Sequence, residues 1–123
     1  MDVLLIEPDK HLTTSYQQAL ENRGLEVMVA HSGQAAIAVI DTTKPRLICL
    51  EVHLPKHNGI EFLHELRSYP EWEDIPVVLL TFVSEKDLNL QPSSQSQLGI
   101  SHYFYKPRTE LKQLVSYISG VLQ

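Results

Sequence analysis

The chain has 123 residues, 43% of them hydrophobic and 20% charged, with ten Lys and Arg against fifteen Asp and Glu. A chain this long buries roughly two-thirds of the surface its unfolded form exposes, so it needs neither disulfide nor metal to hold a core, and disordered, collagen-like and coiled-coil classes are excluded. Its formal charge is −5 and its basic residues are scattered singly, which argues against nucleic acid as a direct partner.

The first apolar run, Val3–Ile6, is four residues long and lacks a basic leader, so it reads as a strand and not as a signal peptide or membrane span. Leu12, Tyr16, Ala19 and Leu20 then recur at helical spacing until Gly24, with Asp9 placed to cap the helix. A second strand, Leu25–Ala30, precedes a helix from Gly33 to about Thr43, stopped by Pro45. The third strand is Leu47–Val52, and its Cys49, the only cysteine, has no partner for an internal bridge, which suits a reducing compartment such as the cytoplasm. A third helix begins near Asn58, with Ile60, Leu63 and Leu66 on one stripe, and ends before Pro70. Trp72, beside Ile75 and Pro76, is expected to pack over a helix end. Val77–Thr81 is the fourth strand, followed by a short helix near Ser84–Leu90 that Pro92 interrupts. The polar run after Pro92 has no helical stripe and is expected to be an irregular loop. Ser101–Tyr105 is the fifth strand, and a last helix is expected from about Arg108, burying Leu111, Leu114, Val115, Ile118 and Leu122. Strands alternating with helices argue for parallel βαβ units and a sheet covered on both faces. A single domain over 1–123 is expected, with no output domain.

In such a sheet, ligands bind beyond the carboxyl ends of the strands. Four places should therefore converge: Glu7-Pro8-Asp9 after the first strand, Glu51 with His53 to Gly59 after the third, Thr81-Phe82 after the fourth and Lys106-Pro107 after the fifth. Six histidines raise the question of a metal, but no HExxH or clustered Cys/His spacing supports one.

Taken in order, the segments VLLIEPDKHL, PRLICLEVHLPKHNGIEFL, PVVLLTF and YFYKP resemble the response-regulator receiver domain, the CheY-like family, over essentially the whole chain. The resemblance implies an α/β, flavodoxin-like (βα)5 three-layer sandwich with a parallel sheet of order 2-1-3-4-5, here with a shortened or irregular fourth helix. It implies that Glu51 stands at the phosphoacceptor position, that Glu7, Pro8 and Asp9 stand where a magnesium-binding acidic pair belongs, and that Thr81, Phe82, Lys106 and Pro107 complete the pocket. It further implies a cis peptide before Pro107, and an aromatic at Tyr103 that swings between inward and outward rotamers on activation.

The departures from the family pattern decide the functional expectation. Glu51 carries its carboxylate about one methylene further out than Asp would, and in-line transfer loses about a hundredfold in rate for a 1 Å misplacement. Pro8 offers no side-chain oxygen, so magnesium binding is expected to be lost and no cofactor is expected. Phe82 replaces a small residue and should cover the pocket, whereas Lys106 is retained and should pair with Glu51 or Glu7. Glu51 then either mimics the phosphorylated state in part or marks a decayed site. Phe104 is expected to point inward, leaving Tyr103 and Tyr105 as a partner-binding surface toward the fourth helix.

The expectation is a non-enzymatic pseudo-receiver of two-component-type signal transduction. It would dock another signalling protein, whether kinase, regulator or scaffold, through the face of the fourth helix, fifth strand and last helix. No membrane, direct nucleic-acid partner or small-molecule substrate is expected. The alternative is a working switch with non-standard phosphorylation, for example at Asp9, or altered metal chemistry. Flavin binding is set aside because Glu7-Pro8-Asp9-Lys10 is acidic where a flavin phosphate needs a Ser/Thr/Gly-rich loop. A haloacid-dehalogenase-like hydrolase is set aside because Pro8 breaks the pair of Asp it requires.

Overall fold

The β-branched and leucine-rich runs build one parallel sheet. In the computed structural model, which describes residues 1–123, the strands are β1 Val3–Ile6, β2 Val27–Ala30, β3 Leu47–Leu50, β4 Val77–Thr81 and β5 Ile100–Tyr105. Their order is β2-β1-β3-β4-β5, the flavodoxin-like arrangement expected. Ile6 lies opposite both Ala30 and Leu50, Leu50 opposite Leu79, and Thr81 opposite Tyr105. This register brings the residues after β1, β3 and β5, together with Thr81, to one edge of the sheet.

Alternation along the strands splits the core in two. Leu4, Ile6, Ile48, Leu50 and Leu79 face α2 (Gly33–Thr42) and α3 (Gly59–Arg67) through Ala36, Ile40, Phe62, Leu63 and Leu66. Val3, Leu5, Leu47, Cys49 and Val78 face α1 (Lys10–Glu21) and α6 (Leu111–Leu122) through Leu20, Leu114, Val115, Ile118 and Leu122. Both faces are thus sealed, which explains why the central strands read as unbroken apolar runs. Burial pushes the Cys49 thiol up to about 12, so it is an inert core group. No helix is long and apolar enough to cross a membrane.

Helix starts carry side-chain caps: Asp9, the cap read from sequence, accepts from the amides of His11 and Leu12, while Ser32 accepts from Ala35 and Asn58 from Glu61. Several expectations are corrected, among them that of Leu111, expected on the buried face of the last helix and 39% exposed. Leu25 and Glu26 precede β2, and Val52 lies beyond β3, so both strands are shorter than their apolar runs. The stretch expected to be a loop after Pro92 is a helix, α5, Pro92–Gln97, because proline at the first turn lacks only an amide that would be orphaned anyway. It follows the expected short helix, α4, Glu85–Leu88, capped by Ser84 and ended by Asn89 in the left-handed region at φ 49°. The last helix begins at Leu111, since Lys106–Arg108 wind into a 3₁₀ turn and Glu110 with Gln113 forms the capping box. The peptide before Pro107 is trans; Pro107 sits within that turn, where its fixed φ is accommodated, and trans is the intrinsically favoured isomer.

Two side chains that sequence patterning does not single out have large structural roles. Arg67 ends α3 and donates to three carbonyls: Nε to Leu98 at 2.8 Å, Nη1 to Trp72 at 2.9 Å and Nη2 to Ile75 at 2.6 Å. It clasps α3, the 3₁₀ turn Pro70–Trp72 and the connection into β5, and Trp72 is buried beneath that turn against Tyr69. Gly99 adjoins the clasp with φ +71°, and a Cβ there would collide with the guanidinium, lying 2.8 Å from Cζ. Gly99→Ala is expected to destabilise by about 2–4 kcal/mol, combining left-handed strain with displaced hydrogen bonds. Urea unfolding measures this, and a loss below about 1 kcal/mol, within the ordinary range for a surface change, would contradict the clasp. Ser119, on the buried face of α6, has an Oγ with no hydrogen-bond partner. Ser119→Ala is expected to stabilise by about 1 kcal/mol, read as a rise in the denaturation midpoint, because an unsatisfied buried hydroxyl is removed and Ala is the better helix former.

Candidate functional site

The edge formed by the carboxyl ends of β1, β3, β4 and β5 holds two buried carboxylates, Glu7 and Glu51, each 3% exposed. Between them lies the ammonium of Lys106, whose side chain is 4% exposed. It donates to Glu7 Oε1 and, at 2.8 Å, to Glu51 Oε1. The pairing expected from sequence is therefore made with both partners at once. Two buried carboxylates with one buried ammonium are tenable only because each carboxylate also accepts further hydrogen bonds.

Glu51 is the more heavily bonded. Its Oε1 also accepts the Phe82 amide at 3.2 Å, and its Oε2 accepts the His53 amide at 2.9 Å and the Thr81 hydroxyl. A carboxylate offers about four lone-pair sites, and here four donors take them. Burial works to raise the Glu51 pKa, but hydrogen bonds from Lys106, Thr81 and the His53 amide prevail and hold it below the usual carboxylate range. Glu7 Oε2 accepts the Asp9 amide at 3.0 Å. The Asp9 carboxylate itself is turned away as the α1 cap, and Pro8 contributes no side-chain polar atom to the pocket.

Phe82 lies over the pocket as a roof. Its ring centroid is 4.7 Å from Lys106 Nζ, a cation–π contact, while the outer face leaves the side chain 59% exposed. The segment then turns: the Val83 amide donates to Thr81 Oγ1 at 3.1 Å, and the Val83 carbonyl accepts the Tyr103 hydroxyl at 2.6 Å. Tyr103 is half-buried and packs against the α3-side core. Burial, then the Glu85 carboxylate, raises its phenol pKa, so it remains a donor.

Tyr103 and Tyr105 do share the α4 side, where with Ser84, Glu85 and Arg108 they line a groove of about 560 Å³. Phe104 points the other way, into the α6-side core, packed with His102 and Tyr117. Pro107 is in the turn after β5 and presents no group to the pocket. His53 enters only through its backbone, and His57 sits 3.6 Å from Glu61 on the exposed start of α3. His31 was missed from sequence. It follows β2, and its Nδ1 lies 2.9 Å from the Glu7 carbonyl, buttressing the strand end that carries Glu7; the rule that singled out the residues after the other strands applies to it equally. Arg108 and Glu85, which line the groove, carried no sequence signal.

Comparison with known proteins places this geometry. The family model described as response regulator receiver domain matches residues 3–119. The chain is 34% identical over 121 residues to the transcriptional regulatory protein CpxR of Klebsiella pneumoniae, covering 98% of this chain and 49% of that protein. It is 32% identical to the phosphate regulon transcriptional regulatory protein PhoB of Pseudomonas aeruginosa, covering 98% of this chain and 51% of that one. The chain thus spans about half the length of these curated relatives. Among solved structures it is similar to a two-component response regulator from Legionella pneumophila, with TM-score 0.81 and 28% identity over 100% of this chain and 98% of that one. A phosphorylated cyanobacterial phytochrome response regulator, RcpA, gives TM-score 0.76 and 30% identity over 98% and 89% of the two chains.

Proposed function

The chain belongs to the response regulator receiver domain family of two-component signal transduction, and on that premise we propose that it is a phosphorylation-independent, non-enzymatic docking module of the cytoplasm. The observation that carries this reading is the saturation of Glu51. A nucleophile must direct a lone pair at phosphorus, and here Lys106, Phe82, His53 and Thr81 occupy both oxygens. The same four donors fix the β4 end, so that Thr81, Phe82 and Val83 stand in one arrangement with Tyr103 pinned to the Val83 carbonyl. Glu51 thereby supplies permanently a charge that phosphorylation would supply on demand, though with one negative charge in place of nearly two.

The residues present do not fit the magnesium ion that the family implies. Magnesium demands near-octahedral oxygen ligands, yet the facing carboxylate oxygens are held by an ammonium, Pro8 has no oxygen to offer and the Asp9 carboxylate is committed to the α1 cap. No step of the proposed function passes through a metal. Docking of another signalling protein is assigned to the groove of Tyr103, Tyr105, Glu85 and Arg108, which joins aromatic surface to a guanidinium, the residue types enriched at interfaces.

Affinity capture from native lysate tests this. A partner is expected to be recovered in equal amounts with and without acyl phosphate and magnesium, and to be lost with Tyr105→Ala/Arg108→Ala, a variant that leaves the pocket intact. Retention only after phosphodonor treatment would overturn the reading.

A further inference from the structure

Between β4 and β5 the chain is pinned at its two ends and unattached in the middle. Helices α4 and α5 are four and six residues long, and neither buries a residue. Asn89, in the left-handed region, breaks the path between them. The hydrogen bonds of Ser84–Gln97 all run within that segment or to Leu98 and Gly99 at its end. Attachment to the rest of the molecule lies just outside it. In front, the Val83 carbonyl accepts the Tyr103 hydroxyl at 2.6 Å; behind, the Leu98 carbonyl accepts Arg67 Nε at 2.8 Å and the Leu98 side chain is buried. Underneath lies a mostly apolar cavity of about 20 Å³, with Leu79, Ile100 and Tyr103 as its floor and Leu88, Leu90 and Gln95 in its cover. We infer that Ser84–Gln97 is a strap that opens as one unit, uncovering this apolar floor while the sheet and the other helices stay folded.

Regions open locally at low cost where few apolar groups are buried and the backbone bonds face solvent. Leu88 and Leu90, the leucines of the strap, are only half-buried, and the void beneath them forfeits part of their contact with the floor. The two helices are coupled because residues of both form the cover, and because Gln95 Nε2 donates to the Leu90 carbonyl at 3.4 Å. Helices this short do not persist on their own, so lifting either one from the floor melts both. The anchors on Val83 and Leu98 stop the opening from spreading into β4 and β5. Ser84 and Glu85 also line the groove assigned to docking, so the open strap dismantles that groove. This consequence rests on the docking reading, but opening itself is measured without a partner, and the two therefore fail separately.

Native-state hydrogen exchange at low urea is the first test. The hydrogen-bonded amides of Leu88, Asn89, Gln95 and Leu98 are expected to share one opening constant, at least about a hundredfold larger than that of the Ile48 amide, which bonds to the Pro76 carbonyl in the sheet. Separate opening of α4 and α5, or exchange of all four amides only together with Ile48, would overturn the inference. Thiol labelling reads the floor directly. The one native cysteine, Cys49, is buried and inert, so an introduced thiol reports alone. Leu79 and Val78 are adjacent on β4 and almost fully buried, Leu79 beneath the strap and Val78 in the α6-side core. Relative to each variant's own global unfolding constant, Leu79→Cys is expected to react with an aromatic disulfide reagent at least about tenfold faster than Val78→Cys. Equal relative rates would overturn the inference.

Discussion

Lys106→Met is expected to cost about 3–5 kcal/mol in a urea titration free of divalent ions, a large part of the 5–15 kcal/mol that holds a typical domain. The cost arises from what is left behind. Glu7 and Glu51 are almost completely buried, and without the ammonium each loses a charge-assisted hydrogen bond while gaining a like-charged neighbour. Glu51→Gln in the same background removes that repulsion, so the double variant is expected to lose less than the two single losses together, by about 1–3 kcal/mol. Strict additivity would show that the three groups are not one network. Acid should imitate the single variant in part. The Glu51 carboxyl titrates below its unfolded value, so its contribution is complete above an unfolded pKa of about 4.3 and disappears as pH falls through the depressed folded value.

Gly59→Ala is expected to be the most damaging change that touches no polar side chain. A Cβ at this first residue of α3 would lie 2.7 Å from the Val52 Cα and 3.2 Å from the Glu51 carbonyl oxygen, both backbone atoms that no rotamer change can clear. The close approach is needed because the Gly59 amide donates to the Val52 carbonyl at 2.6 Å, closing the loop that leaves β3. Forcing that loop open would cost about 2–4 kcal/mol, in the tail of single-substitution effects. It would also move the His53 amide away from Glu51 Oε2. The measurable consequences are a lowered denaturation midpoint and shifted amide resonances at His53 and Phe82. An unfolding free energy within about 0.5 kcal/mol of wild type would contradict this packing.

Much of this was legible from the residues alone. The strand runs, the cap Asp9, the helix start near Asn58 and the stop at Gly24 each depend on local chemistry, and local chemistry is what a sequence displays. Lys106 between two carboxylates was foreseeable because parallel strands must deliver their carboxyl ends to one edge. Pro92 was misread because the same residue that breaks a helix from inside starts one at its first turn, and α5 buries no residue whose periodicity would have shown it. Arg67 gave no signal, because its three partners are carbonyls that every residue possesses, brought together only by the tertiary fold. The fourfold bonding of Glu51 was likewise hidden, since two of its donors are backbone amides whose direction is set by the turns after β3 and β4. The substitution pattern pointed to an altered site, and the geometry supplied the physical reason to propose a silent one.

With all four of its lone-pair sites occupied, Glu51 is proposed to take no phosphate. The most direct test is the intact mass of the protein after incubation with acetyl phosphate and magnesium, with a peptide map covering Glu51 and Asp9. The expected result is an unmodified mass under conditions that phosphorylate an ordinary receiver domain run in parallel. A mass gain of one phosphoryl group, mapped to either residue, would contradict it.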